Sequence, residues 1–270
     1  MKKIIYISFV SLLCINISLS QQTDSSQIEF LQKAPPLVRE YYRVFDSLAH
    51  PTWNIPLPEK WSNAELKKYA SMIYDANEYD PIAKRKFDDN RYRAAKDAQA
   101  SYVVRNVDVF QEIEKRLPKK YERLINLSYF MTIVVDDIET IQLPSWDHPT
   151  EILTRIIIHG RVTEVWKGKT YNASDNVTCY YDADWNYRGF TKGNSYIIAL
   201  HPVFSKRTNS FVLRLGGYNT VQEVVFPIQN NDIIDESNLF GLGKTVTRKT
   251  FIDSLTSTIN EIKSWRNLAP

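Results

Sequence analysis

Asp182, Asp184 and Asn186 stand at alternate positions in the stretch YYDADWNYRG, Tyr180 to Gly189. Alternating oxygen-bearing side chains open a calcium-binding loop, because the hard cation needs several oxygen ligands at once. Such a loop next requires a glycine and closes on a bidentate glutamate. Tyr187 and Gly193 occupy those two places here. The pattern is incomplete, so no metal ligand set is assigned. The second chemistry open to this stretch is recognition without catalysis. Tyr181, Trp185 and Tyr187, with Asp182 and Asp184 beside them, form an exposed aromatic patch in one reading. In the other, the aromatics seal one end of a rolled sheet. Both readings stay open, and Tyr181, Asp182, Asp184, Trp185 and Tyr187 are the candidate ligand-binding residues.

Other chemistry-bearing residues lack a constellation. Asp136, Asp137 and Glu139 close the run YFMTIVVDDIETI and read either as acid–base groups or cation ligands, or as solvent-facing strand ends. Three of the four histidines, His50, His148 and His201, precede proline, and His159 stands alone. No pair has metal-ligand spacing. Cys179 has no neighbouring histidine and reads as a buried thiol. Gly241-Leu-Gly243-Lys244 lacks the remainder of a phosphate loop. No catalytic residue and no cofactor are assigned.

The elements that position these residues divide the chain unevenly. All 8 glycines lie at Gly160 or later. A glycine-free first half suits helices, and a glycine-punctuated second half suits strands and turns. Met1 to Ser20 has a charged start at Lys2 and Lys3, an apolar run, and small residues before Gln21, the signature of a secretory signal peptide. The chain is expected to be secreted or periplasmic after cleavage near Ser20. Residues 21–126 are expected to be helical, and 127–270 to form a sheet region with a closing helix.

Within the helical region, Leu37, Val38, Tyr41, Tyr42, Phe45 and Leu48 form one apolar stripe. Proline and tryptophan mark a connector from His50 to Trp61. Ser62 and Glu65 form a capping box, and Asp80 caps a run expected to reach as far as Leu117, either unbroken or with a break near Asn106. The cations Lys84, Arg85 and Lys86 are interleaved with acids and read as a solvated face.

The sheet region centres on Arg155 to Gly168, RIIIHGRVTEVWKG. Ile156, Ile158, Gly160 and Val162 share one face of a strand there, and Gly160 marks a bulge or sharp coil. Tyr129 to Ile141 is the strand before it, with a loop from Gln142 to Pro149. Asn176 to Tyr181, Tyr196 to Leu200 and Phe211 to Leu215 follow as strands, with His201-Pro202 ending the second of these. Glu223 to Ile228 and Asp232 to Ile234 pair across Asn230-Asn231. Thr247 caps a last helix carrying Phe251, Leu255, Ile259, Ile262 and Trp265.

Three landmarks, the run YFMTIVVDDIETI, the strand end V-T-E-V-W-K-G at Val162 to Gly168, and the turn and strand of Lys192, Gly193, Tyr196 and Ile197, carry a family likeness. The segment from about Tyr129 to Leu200 resembles the OB-fold of the netrin-like and tissue-inhibitor-of-metalloproteinases superfamily. The resemblance implies an α+β chain: a helical N-terminal region followed by an OB-like antiparallel β-barrel with a C-terminal helix. The inhibitors of that superfamily chelate a protease zinc through an N-terminal cysteine. No residue of this chain matches that position, so the resemblance implies the fold without the inhibition.

Charge narrows the partners. The formal charge is +3, and without Lys2 and Lys3 the basic and acidic residues nearly balance, which gives no electrostatic reason to expect nucleic acid. No stretch of the mature chain is long and apolar enough to span a membrane as a helix. The expected class is an exported, non-enzymatic binding module for an extracellular protein or glycan. A secreted protease-inhibitor-like protein is the alternative. A third is a hydrolase whose site is assembled between the two regions from His159, His201 and the acids at 136–139.

Overall fold

The computed structural model describes residues 32–48, 58–97, 109–144, 150–182, 189–216 and 223–268. The expected signal segment, the connector around Trp53, and Asp184, Trp185, Asn186 and Tyr187 lie outside the described residues.

The helices are α1 (Pro36–Leu48), α2 (Asn63–Tyr79), α3 (Pro81–Asp97), α4 (Val109–Arg116), α5 (Lys119–Asn126) and α6 (Arg248–Ser264). Their starts follow from local chemistry. Ser62 Oγ accepts from Glu65 N at 3.2 Å and Glu65 Oε2 accepts from Ser62 N at 2.7 Å, which satisfies two orphan donors of α2. Asp80 Oδ1 accepts from Ala83 N at 2.9 Å and opens α3. Thr247 Oγ1 does the same for Thr250 N of α6. Helix α2 is buried almost all round, through Leu66, Ala70, Ile73, Tyr74 and Ala76, and packs against α1, α5 and α6. One cation of the expected solvated face departs from that reading. Lys84 is buried, its ammonium 2.5 Å from Asp88, because α1 presents the Tyr41 hydroxyl to the same carboxylate.

The strands are β1 (Tyr129–Pro144), β2 (Ile152–Lys167), β3 (Asn176–Asp182), β4 (Ser195–Ser205), β5 (Ser210–Leu215), β6 (Val225–Gln229), β7 (Asp232–Ile234) and β8 (Thr245–Thr247). They form one mixed sheet of 8 strands in the order β1-β2-β3-β5-β4-β6-β7-β8, and β1 pairs β4 as well. The first five therefore make a ring of pairings: β1 to β2, β3, β5, β4 and back to β1. The expectation of a wholly antiparallel sheet is corrected at one joint. Strands β3 and β5 run parallel, with Cys179 opposite Leu213 and Tyr180 opposite Arg214.

Two strands outrun their expected ends. Strand β1 continues to Pro144 and β2 begins at Ile152, so the ribbon they form is longer than the apolar runs alone suggest. Strand β4 passes through Pro202 to Ser205. Strand β1 pairs with β4 only as far as Leu200, so at Pro202 that edge has no ladder bond for a proline to remove. The bulge expected at Gly160 lies across the pair from it. Val135 faces Gly160 and Asp137 faces His159, leaving Asp136 as the extra residue on β1. A Cβ on Gly160 would stand 2.9 Å from the Val134 carbonyl oxygen, so the close approach of β1 requires glycine there.

One continuous apolar core joins the helices to the sheet. It runs from Tyr41 and Phe45 through Ile73 and Tyr74 to Phe130, Ile133, Ile158 and Ile198, and on to Phe251 and Leu255 of α6. Ion pairs bridge the N-terminal helices to α6 and its end: Glu78 with Lys263 at 3.3 Å, and Asp75 with Arg266.

Candidate binding face

Strand β3 alternates as its sequence demands. Val177, Cys179 and Tyr181 are buried, while Thr178 and Tyr180 face outward. Tyr181 therefore packs into the core, its ring 6.0 Å from that of Phe190, which in turn lies 4.6 Å from Tyr196. Burial pushes the Cys179 thiol up to about 12, out of range of nucleophilic chemistry at neutral pH.

Asp182 ends β3 on the outer face. Its Oδ1 accepts from Arg155 Nε at 2.8 Å and its Oδ2 from Arg155 Nη2 at 3.4 Å and Arg214 Nη2 at 3.5 Å. Arg155 comes from β2, directly opposite Asp182, and Arg214 from β5 across the parallel joint. One carboxylate thus holds two guanidiniums, and the Arg155 guanidinium also lies 4.0 Å over the Tyr180 ring. Of the five candidate residues, Tyr181 is drawn into the core, Asp182 is clamped on the outer face, and the other three lie outside the described residues.

The acids at the β1 bulge meet cations one by one. Asp136 lies 3.8 Å from Arg161, Asp137 3.5 Å from Lys192, and Glu139 3.2 Å from His159 Nε2. His159 Nδ1 contacts Thr178 Oγ1 at 3.0 Å. These are exposed pairs, each of little energetic weight. His201 stands elsewhere, on β4 opposite Arg214. Burial, with the Arg85 and Arg214 charges nearby, pushes its imidazole down to about 3, so it is neutral at physiological pH. His159 and the acids meet beyond the bulge of β1, whereas His201 follows Leu200, which pairs with Tyr129 at the other end of β1, so the sheet does not bring the two histidines and the acids into one site. Among the described residues, no group of three or more His, Cys, Asp or Glu side chains is placed to hold a metal ion.

Arg155, Arg214 and Lys167 escaped the sequence reading. The two arginines sit on outward positions of strands whose pairing is set by the ring, so only the register reveals that they meet at Asp182. Lys167 had a local signal, a cation at the end of an apolar strand. Two further shifts in register, which leave Thr163 and Trp166 of β2 without partners on β1, precede Lys167, and Leu124, Leu127 and Tyr74 of the helical region close over its side chain. Its ammonium is fully buried and donates to the Leu124 and Leu127 carbonyls, and it lies 4.2 Å over the Tyr74 ring. Burial pushes it well below the ordinary lysine range. Its work is to cap the end of α5.

No protein-family model, curated protein or solved structure matches the chain. Among the described residues no helix is long and apolar enough to cross a membrane.

Proposed function

We propose that the chain is an exported, non-enzymatic binding module, built on an OB-like barrel of the netrin-like and inhibitor kind. It meets an extracellular protein or glycan through the end of β3 and the loop that follows, with Asp184, Trp185 and Tyr187 as the contact residues. The observation that carries this reading is the anchoring of the end of β3 from which that loop leaves. Asp182 is fixed by Arg155 and Arg214 while Tyr181 is locked against Phe190. Strand-end side chains held in this way lose little freedom on docking, which favours capture. The ring order of β1, β2, β3, β5 and β4 supports the barrel, since OB barrels are five-stranded and bind ligands with loops and strand faces.

The test is capture by the immobilised chain from Gln21 onward, presented with the extracellular fraction of its own source. Replacing Trp185 and Tyr187 together with Ala should abolish capture while circular dichroism stays unchanged. Undiminished capture by that variant removes the loop from the account. Sub-micromolar inhibition of a secreted metalloprotease would replace it with the inhibitor reading.

A further inference from the structure

Strand β1 has an edge that the sheet closes only in part. That edge pairs with β4 as far as Val134, and Val135 then exchanges bonds with Gly193 and Asn194 at 2.8 and 3.0 Å. From Asp136 to Pro144 the strand pairs only with β2 among the described residues. Strand β2 decides which groups this leaves. Val162 turns its N–H and C=O toward the chain entering β3, bonding Asp175 and Ser174. Alternation then turns those of His159, Ile157 and Arg155 toward β1, where Asp137, Glu139 and Ile141 stand opposite. Ile138, Thr140 and Gln142 therefore point both backbone groups outward, and Thr140 and Gln142 are exposed.

A row of outward N–H and C=O groups is a template for another strand. Both ends of this row are closed. At one, the Lys192–Asn194 turn takes over the edge beside Val135, and at the other Pro144 has no N–H to give. A second β1, laid antiparallel about a two-fold axis at Thr140, has matching limits. Thr140 then faces Thr140 of the second copy, and Ile138 faces its Gln142, so each of the three residues gains both of its bonds. An axis at residue 141 sets Ile138 against Pro144, and one at residue 139 sets Gln142 against the bulged Asp136. Either loses bonds.

The acids of this stretch fit the same register. Glu139 stands opposite Ile141 of the second copy and Asp137 opposite its Leu143, so no carboxylate directly faces another, whereas an axis at residue 139 would oppose the two Glu139 side chains. About Thr140 those two are diagonal neighbours, and each meets His159 of its own copy at 3.2 Å. Asp136 and Asp137 meet Arg161 and Lys192 in the same way. Any extended peptide could lie along such a row. The matching ends and the offset of acids against aliphatics belong to a second copy.

We infer that two copies of this chain join edge to edge through Ile138, Thr140 and Gln142 of β1, antiparallel about Thr140, and so continue one sheet across a dimer. This goes beyond the binding-module reading and stands or falls separately from it.

The chain from Gln21 onward contains every described residue and retains Cys179, buried, as its one cysteine. Sedimentation equilibrium should show it exchanging reversibly between monomer and dimer. Thr140→Pro removes an N–H that β2 does not use, and should raise the dissociation constant about tenfold or more. Thr140→Cys should give a disulfide-linked dimer on oxidation with copper phenanthroline, because facing Cα atoms in such a pair lie about 5.5 Å apart. Gln142→Cys should not link to itself, because its two copies lie more than about 10 Å apart. Trp185→Ala with Tyr187→Ala should leave association unchanged. A monomer at every concentration, a dimer indifferent to Thr140→Pro, or linking at Gln142→Cys as ready as at Thr140→Cys overturns the inference. Should Thr140→Pro fail to fold, the contrast between the two cysteine variants decides. Loss of extracellular capture in the loop variant, with no dimer in the parent, leaves the module reading standing and removes this inference alone.

Discussion

The Lys167 ammonium lies 2.6 Å from the Leu127 carbonyl oxygen and 2.5 Å from that of Leu124, at the end of α5. Helix ends leave carbonyls without intrahelical donors, and this one is buried where water cannot serve. A strand side chain thus completes a helix, and the junction between the helical region and the sheet depends on it. Asn77 of α2 reinforces the same junction, donating to the Ile125 carbonyl at 2.8 Å.

Lys167→Met preserves most of the volume and removes the donors. Each orphaned carbonyl should cost about 1–3 kcal/mol. Urea denaturation should therefore show a markedly lower midpoint, and a midpoint within error of the parent would show that water or another donor replaces the ammonium.

Asp182→Asn removes the charge that keeps Arg155 and Arg214 together. Breaking a largely buried ion pair by removing one partner costs about 3–5 kcal/mol, and the partial exposure of these three side chains places the loss toward the lower end. Thermal unfolding of the variant against the parent measures it. A change no larger than that of an exposed pair such as Glu139→Gln would mean the clamp contributes little.

His201 makes acid destabilising. Its folded-state value of about 3 lies below the ordinary 6.5, so the folded protein binds fewer protons than the unfolded chain between those limits. The contribution is fully present above pH 6.5 and declines as pH falls toward 3. Protonation there would set a third cation against Arg85 and Arg214. His201→Asn should have a shallower loss of stability across that window than the parent, and parallel curves would contradict the assignment.

Gly160→Ala should strain the β1–β2 pair, because the new methyl meets the Val134 carbonyl at 2.9 Å and Ile133 Cδ1 at 3.2 Å. Overpacking of this kind costs about 1–3 kcal/mol. Equilibrium unfolding checks the size, and an alanine variant as stable as the parent would place the bulge elsewhere.

Much of the architecture could be read from residue patterns. The Ser62–Glu65 box and the Thr247 cap are local rules, and both occur as expected. The Asn230–Asn231 turn supplies two residues at positive φ between β6 and β7, the requirement of a tight hairpin. The alternation of Val177, Cys179 and Tyr181 gave the buried face of β3. What escaped was set by pairings distant in sequence. Asp182 looks like a ligand in a polar loop, and only the arrival of Arg155 and Arg214 makes it a clamp. The parallel joint of β3 and β5 has no local signature, since either orientation buries the same alternate residues. Lys167 was hidden because residues far away in sequence, Leu124, Leu127 and Tyr74, bury it. The short β8 carries too few residues to announce itself.

The Arg214 arm of the clamp at Asp182 and the closure of the five-strand ring both require β3 to lie beside β5. Nuclear Overhauser contacts between backbone protons of Cys179 or Tyr180 and those of Leu213 or Arg214 measure that adjacency directly. Inter-strand cross-peaks in the pattern of a parallel pair are the predicted result. Their absence in a well-folded sample, with β2–β3 and β4–β5 contacts intact, would open the ring and contradict the account.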